Sequence, residues 1–134
     1  MSNPDIETTT VNEAKYHALS RAGDFELSID ATGSDGPTPN EVLVADYASC
    51  FGFACRAGAD RQLDVDLGRI ETTAEADLDD SDDLSAIRLH LRVEADLGDD
   101  EIADVVDLGE EICHVHAAMK ESLHADIEVT ADAF

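Results

Sequence analysis

The sequence is poor in basic residues, with 8 lysines and arginines against 32 aspartates and glutamates and a formal net charge of −24. A surface this acidic repels phosphate backbones and anionic lipids, so we expect no nucleic acid and no membrane among its partners. No apolar run approaches the roughly 18 residues that span a bilayer. Residues 1–10 also lack the basic and apolar regions of a secretory signal, so we expect a cytoplasmic protein.

The acidic residues are spread along the chain, and large apolar side chains are scarce. Aromatic residues make up 4% of the sequence, tryptophan is missing, and 19 alanines supply much of the 43% hydrophobic share. Like charge at this density destabilises a compact state, and concentrated salt screens the repulsion. The composition is therefore typical of a cytosolic protein from a halophilic cell. An acidic surface that binds a basic partner is the alternative explanation.

The hydrophobic share excludes a disordered acidic tail, and the 134 residues suit one domain. We expect residues 1–10 to be flexible and residues 11–134 to form that domain. Alternating apolar and polar residues predict strands. These segments are residues 11–20, 24–30, 69–78, 86–97 and 125–131.

Two helices are predicted between these strands. Residues 41–58 are apolar almost all round, which indicates a helix buried on most sides. Residues 99–122 carry apolar residues at helical spacing and acidic residues in the first turn. The pattern predicts an α+β fold with a mostly antiparallel sheet and two core helices. Because one five-stranded sheet cannot cover the first helix on all sides, we expect an obligate homodimer.

Cysteine is scarce, and its odd number excludes a framework of paired disulfides. Cys50 lies within the first predicted helix, and Cys113 lies on the apolar stripe of the second. If the two helices pack together, these thiols can meet. Such a pair permits a peroxidase cycle, in which one thiolate becomes a sulfenic acid and the other condenses with it to a disulfide. Two small core hydrophobes are the alternative.

The third cysteine and the nearby histidines allow other interpretations. Cys55 points about 140° away from Cys50 around the helix, so we expect it to serve packing. Cys113, His114 and His116, with Cys50 as a fourth ligand, offer the nitrogen and sulfur donors that zinc favours. The sequence has no Cys-x-x-Cys pair, and a regular helix would point His114 away from Cys113.

Two segments resemble the motifs of a known family. Residues 37–50, PTPNEVLVADYASC, resemble the P-[ST]-P-x-E-L-L-x-A-x-x-x-C motif of the OsmC/Ohr superfamily. Residues 110–119, EEICHVHAAM, are similar to the family's second motif, usually C-P-V-[HS]. The order of elements and the spacing of the two cysteines fit as well, so the resemblance covers nearly the whole chain.

The resemblance implies an OsmC-like fold, an intertwined homodimer and a cysteine-dependent peroxidase for organic hydroperoxides in oxidative stress defence. Cys50 matches the peroxidatic cysteine and Cys113 the resolving one. In the family's peroxidases, a glutamate one residue earlier than Glu41 helps hold an arginine over the reactive thiolate. Glu41 matches this glutamate only with a shift of one residue, because Asn40 occupies its position. Arg21, the only arginine before Cys50, is the candidate for its partner.

The resemblance also implies a hydroperoxide substrate, an external dithiol reductant of lipoyl or thioredoxin type, and no bound cofactor or metal. Asn40, and His114 in place of the usual proline, fit the broader OsmC-like branch better than the best-defined peroxidases. The alternative function is therefore a non-enzymatic dimer that senses redox state or binds a small ligand, with cysteines that serve packing or regulation.

The acidic composition predicts that folding depends strongly on salt. The screening length falls from about 10 Å at 0.1 M salt to about 3 Å at 1 M, which weakens repulsion between neighbouring carboxylates such as Asp79, Asp80 and Asp82. We expect the melting temperature, measured by circular dichroism, to rise steadily from 0.1 M to molar potassium chloride. A melting temperature that stays flat across this range would contradict the halophilic interpretation.

Overall fold

The computed structural model describes residues 3–134, so the first two residues of the predicted flexible terminus lie outside the described residues. The chain divides into two compact units, residues 1–43 and residues 44–134. In chain order, the strands and α-helices of the described residues are β1 (Thr8–Val11), β2 (His17–Ala22), β3 (Phe25–Asp30), α1 (Pro39–Gly58), β4 (Ile70–Leu78), β5 (Leu84–Val93), α2 (Asp99–Ile112), α3 (His114–Ala118) and β6 (Asp126–Thr130). A π-helix (Ala59–Leu63) follows α1 directly, and a short 3-10 helix (Glu121–Leu123) precedes β6.

The predicted α+β class is confirmed, and three of the four strand pairings are antiparallel. The expectation of one five-stranded sheet is wrong, because the described strands form two three-stranded sheets, β1-β2-β3 and β4-β5-β6. Strand β1 includes residues 8–10, which we expected to be flexible; they pair with β2. The pairing with β2 supplies backbone hydrogen bonds to β1. The threonines of β1 show almost no hydrophobic alternation from which a strand could be predicted.

The first unit contains an antiparallel sheet with two different faces. A two-residue turn joins β2 to β3, and Gly23 adopts the positive φ of 60° that this turn requires. Phe25 and Leu27 lie on one face, where they are 77% and 47% exposed. Arg21 lies opposite Glu26 on the other face, and the two side chains pair at 3.2 Å.

A hydrogen-bonded loop connects this sheet to α1. The buried Asp30 carboxylate accepts hydrogen bonds from the N–H and hydroxyl of Thr32, at 2.8 and 2.7 Å, and from the Asp35 N–H. These donors lower the pKa of Asp30. The helix then begins with a capping box, in which Thr38 Oγ1 accepts from the Glu41 N–H and Glu41 Oε1 accepts from the Thr38 N–H. Helix α1 therefore starts two residues earlier than predicted, with Pro39 in its first turn.

The second unit holds the larger core, centred on β5. The inward side chains of this strand are at most 2% exposed: Ile87, Leu89, Leu91 and Val93. Strand β4 pairs with β5 as a hairpin, whereas β6 pairs with β5 in parallel, because α2 and α3 carry the chain back across the sheet. This parallel pair is a departure from the antiparallel pattern expected from consecutive strands.

The solvent side of this sheet uses half of the six arginines. Arg88 bonds Asp77 through both terminal nitrogens, and Arg92 contacts Glu71 at 2.8 Å. The Phe134 ring lies between Arg69 and Arg92, with guanidinium carbons 4.6 and 4.8 Å from its centroid. These contacts fasten the carboxyl-terminal residue to the sheet.

Helices α1 and α2 approach closely because a glycine lies at their contact. A Cβ atom on Gly109 would come within 2.7 Å of Cys55 Sγ and 2.9 Å of Phe51 Cζ. On α1, the buried side chains include Tyr47, Phe51 and Cys55, all 0% exposed, while Phe53 is 72% exposed. Among residues 3–134, no helix combines the length and apolar character needed to span a membrane.

The second predicted helix is interrupted at Cys113. We expected one helix over residues 99–122, but α2 ends at Ile112 and Cys113 has extended backbone angles, φ −65° and ψ 113°. Cys113 then caps the short helix α3, with its sulfur accepting from the His116 N–H at 3.3 Å. The apolar residues keep helical spacing on both sides of Cys113, so the pattern predicts one continuous helix. A single residue with non-helical backbone angles does not change that spacing.

The close contact between α1 and α2 predicts a cost for a larger residue at position 109. Gly109→Ala should lower the free energy of unfolding by about 1–3 kcal/mol, because the new methyl group overlaps Cys55 and Phe51. Urea unfolding in concentrated salt measures this change. Gly98→Ala adds a methyl group without a clash and is the comparison, since its Cβ would meet nothing closer than 3.9 Å. Because Gly98 is the N-cap of α2, where alanine is disfavoured, this variant should cost at most about 1 kcal/mol. Equal stability of the Gly109→Ala variant and the parent protein would contradict this packing.

Candidate functional site

Two of the three cysteines meet where α1 packs against the corner between α2 and α3. Cys50 is half-buried on α1, and Cys113 is 1% exposed at the residue that separates α2 from α3. The Cys50 thiol is close enough to Cys113 to raise the pKa of the Cys113 thiol, and both residues are free thiols. The structure therefore brings together the two sulfurs that the sequence pattern singled out.

The environment of Cys113 keeps its proton in place. Burial raises the pKa of this thiol to about 11, and the contact with Cys50 contributes in the same direction. The backbone N–H groups of His116 and Val115 act against this rise, because they stabilise negative charge on the sulfur. Cys113 is therefore a neutral thiol at neutral pH, although backbone donors are already positioned for its thiolate.

Cys55 faces α2 and lies in the densest part of the core. It is 0% exposed, and its thiol donates to the Val105 carbonyl over 3.8 Å. Burial, followed by the nearby Cys113, raises the pKa of Cys55 to about 12. A thiol that is fully covered and protonated is a poor nucleophile, so the surroundings of Cys55 suit packing.

A buried tyrosine and histidine lie next to the sulfur pair. Tyr47 is 0% exposed one helical turn before Cys50, and His116 is 9% exposed in α3. The Tyr47 hydroxyl accepts from the Ala125 N–H at 3.1 Å and lies 2.5 Å from His116 Nδ1. Burial, and then the charge of a neighbouring histidine, lower the pKa of His116. A neutral imidazole can accept at Nδ1, which allows the Tyr47 hydroxyl to donate its hydrogen bond there.

His124 completes this cluster from the segment before β6. Its ring stacks on that of His116 with centroids 4.0 Å apart, and its Nε2 donates to the Met119 carbonyl at 3.2 Å. The sequence pattern assigned no role to His124 or to Tyr47. A tyrosine on a helix without a polar face was the available signal, since a buried hydroxyl requires a partner.

The other two predicted site residues, Arg21 and Glu41, belong to the first unit. Arg21 lies on β2 in an exposed ion pair with Glu26. Glu41 completes the capping box of α1, and the bonds from Thr38 lower the pKa of its carboxyl. Their roles toward Cys50 stay predictions.

The side chains of the metal alternative are not grouped as a ligand set. Among residues 3–134, no three histidine, cysteine, aspartate or glutamate side chains are arranged to hold a metal ion. The donor set of Cys50, Cys113, His114 and His116 is therefore not assembled. The interruption at Cys113 explains this, because the sulfur turns toward Cys50 and His116 turns toward Tyr47.

Comparisons with known proteins agree with this architecture. Residues 31–128 match the family described as OsmC-like protein. A protein of Haloferax volcanii, described as uncharacterized, is 52% identical over 130 residues, which cover 97% of this chain and 98% of that protein.

Solved structures extend the comparison at low sequence identity. An OsmC-like protein from Mycoplasma pneumoniae superposes with a TM-score of 0.84 at 18% identity, covering 97% of this chain and 99% of the other. The organic hydroperoxide resistance protein OhrB of Bacillus subtilis gives a TM-score of 0.70 at 21% identity, with coverage of 93% and 97%. At these identities, the two structures show a shared fold.

Proposed function

Because this chain belongs to the OsmC-like protein family, we propose that it is a cysteine-dependent peroxidase that reduces organic hydroperoxides. One observation carries the proposal: Cys50 and Cys113 are free thiols at the junction of α1 with α2 and α3, near enough that Cys50 raises the pKa of Cys113. The name of the structurally similar Bacillus subtilis protein, organic hydroperoxide resistance protein, supports this choice of substrate class.

The two cysteines take different roles because their surroundings differ. Cys50 is the half-buried member of the pair and the one that meets substrate. Its thiolate attacks the outer oxygen of R–O–O–H, the O–O bond breaks, and an alcohol leaves as Cys50 becomes a sulfenic acid. Cys113 then attacks the Cys50 sulfur, a disulfide forms, and the hydroxyl leaves as water with the Cys113 proton. An external dithiol of lipoyl or thioredoxin type returns both thiols, with no bound cofactor.

Arg21 and Glu41 have proposed roles in the first step. A cation near Cys50 favours the thiolate, and a carboxylate that holds the guanidinium orients the hydroperoxide. Arg21 is the only arginine before Cys50, and Glu41 lies one residue later than the corresponding glutamate of the family's peroxidases. Arg21 is paired with an exposed glutamate on the sheet surface. Exposed ion pairs contribute little to stability, so Arg21 can exchange this carboxylate for another.

The proposal includes a cytoplasmic location in a high-salt cell. The charge of −24 and the relative in Haloferax volcanii, a halophilic archaeon, both support it. A reducing compartment also keeps a peroxidase disulfide transient, because dithiol systems regenerate the thiols there.

We also propose an intertwined homodimer. Each unit leaves large apolar side chains uncovered in the single chain: Phe53 of the second unit is 72% exposed, and Phe25 of the first is 77% exposed. Exposed aromatic side chains on a core helix and on a sheet face are typical of surfaces that a partner subunit covers.

The dimer has a direct test in light scattering. At micromolar concentration in concentrated salt, the parent chain should have the mass of two copies. Phe53→Glu should shift it toward one copy, because a carboxylate would be buried at the apolar interface. Phe53→Leu keeps an apolar side chain and is the matched control. A parent protein that runs as a monomer under these conditions would contradict the proposal.

Peroxide consumption tests the enzyme itself. With tert-butyl hydroperoxide and a dithiol, Cys50→Ser should lose at least about 100-fold in rate, because it removes the nucleophile. Cys55→Ser is the matched control and should stay within about twofold of the parent protein, since Cys55 faces α2. Equal, slow consumption by the parent and Cys50→Ser would rule out the enzyme. A Cys50 thiol that also resists an alkylating probe at neutral pH would favour the redox-sensing or ligand-binding alternative.

A further inference from the structure

The peroxidase cycle does not use the hydrogen-bonded cluster of Tyr47, His116 and His124. Its hydrogen bonds are well formed: the Tyr47 hydroxyl has a donor at 3.1 Å and an acceptor at 2.5 Å, and the two imidazole rings stack at 4.0 Å. The cluster joins α1, α3 and the segment before β6. Burying a tyrosine hydroxyl and an imidazole is costly without partners, so this cluster has one well-defined arrangement.

The cluster acts on the same residue that caps Cys113. The side chain of His116 bonds Tyr47, and the backbone N–H of His116 donates to Cys113 Sγ at 3.3 Å. Holding the imidazole therefore also holds the N–H group on the sulfur. Helix α3 has only five residues, so it has little rigidity of its own and depends on such anchors.

We propose that Tyr47 and His116 are positioning residues for the step in which Cys113 attacks oxidised Cys50. They keep the His116 N–H on the Cys113 sulfur and keep that sulfur directed at Cys50. This role rests on the proposed function in one respect, namely that a hydroperoxide is the physiological oxidant of Cys50. The attack itself is a property of the two cysteines and can be measured without peroxide.

The attacking step explains why this positioning matters. Cys113 must release its proton to become a nucleophile, and its sulfur carries negative charge until the new S–S bond forms. Burial opposes that charge, and so does Cys50 of α1. Cys113 in turn raises the pKa of Cys55 and of Tyr47, so these two neighbours on α1 stay protonated beside it. The His116 N–H is one of two backbone donors that favour the thiolate. If the His116 N–H loses its alignment, the negative charge on Cys113 is less stabilised, and the Cys113 sulfur is directed less accurately at Cys50.

Ellman's reagent measures this step in two phases. In the first phase, the Cys50 thiolate attacks the disulfide of the reagent. One thionitrobenzoate stays bound to Cys50 as a mixed disulfide, and the other is released. In the second phase, the Cys113 thiolate attacks the Cys50 sulfur, the Cys50–Cys113 bond forms, and thionitrobenzoate leaves with the electron pair. All variants carry Cys55→Ser, so that two thiols remain. Cys113→Ser should show the first phase alone.

Tyr47→Phe should slow the second phase by about tenfold and leave the first phase within about twofold. Tyr16→Phe is the matched control, because Tyr16 is the other tyrosine of the chain and is 68% exposed. His116→Leu should behave as Tyr47→Phe does, whereas His116→Gln keeps an acceptor for the Tyr47 hydroxyl and should recover part of the rate. This rescue distinguishes positioning from a loss of packing.

The outcomes separate this inference from the proposed function. A slowed second phase supports the inference even if the parent protein fails to consume hydroperoxide, in which case the peroxidase proposal alone is wrong. Unchanged phases in Tyr47→Phe, or equal slowing of both phases, would overturn it. If Tyr47→Phe does not fold, as judged by its melting curve, the comparison of His116→Gln with His116→Leu decides. Equal second-phase rates in those two variants would then overturn it.

Discussion

The packing of α1 against the α2–α3 corner is the contact on which the site depends. Gly109 lets the two long helices approach until Cys55 and Phe51 fill the space that a side chain would occupy. At that distance, the residue that follows α2 lies against α1. Because Cys113 leaves helical geometry there, its sulfur meets Cys50 and caps the next helix at the same time. A continuous helix would lack the cap that this sulfur provides.

The same corner carries buried polar groups, and each is paired. Among residues 3–134, every fully buried side-chain nitrogen or oxygen has a hydrogen-bond partner. Tyr47 and His116 are part of this pairing, next to the Cys113 thiol, whose ionisation burial suppresses. A low-dielectric environment strengthens these hydrogen bonds and makes their loss costly. The chemistry of the sulfurs is thereby linked to a polar network that holds the surrounding backbone.

Charged side chains are distributed differently from the apolar side chains that pack the core. The core excludes charge, while the surface carries most of the 32 acidic residues. Arg88 and Arg92 satisfy a few of them across the outer face of β4 and β5. Exposed pairs of this kind contribute little, and eight cations cannot neutralise the excess. Solvent ions must therefore moderate the repulsion, which fits the abundance of acidic residues in a chain whose relative comes from a halophile.

Several parts of the fold are determined by local pattern. Strand β5 was predictable because Ile87, Leu89 and Leu91 alternate with polar residues, and this period allows only one face inward. Helix α1 was predictable from its unbroken apolar character, with its start misplaced by two residues because a capping box depends on side-chain geometry. The net charge follows from composition alone. Two motifs matched Cys50 and Cys113 to the two motif cysteines of the OsmC/Ohr superfamily.

Other features required contacts between distant segments. The sequence could not show that β6 joins β5 in parallel, because the crossing of α2 and α3 decides which strand edge it reaches. Nor could it show the interruption at Cys113, since apolar spacing is the same with or without one non-helical residue. Tyr47 lies 69 residues before His116 in the chain, and only the folded backbone brings its ring to those of His116 and His124. Sequence determined which residues are apolar, charged or nucleophilic; tertiary structure decided which of them touch, because hydrogen bonds and burial depend on distance in space.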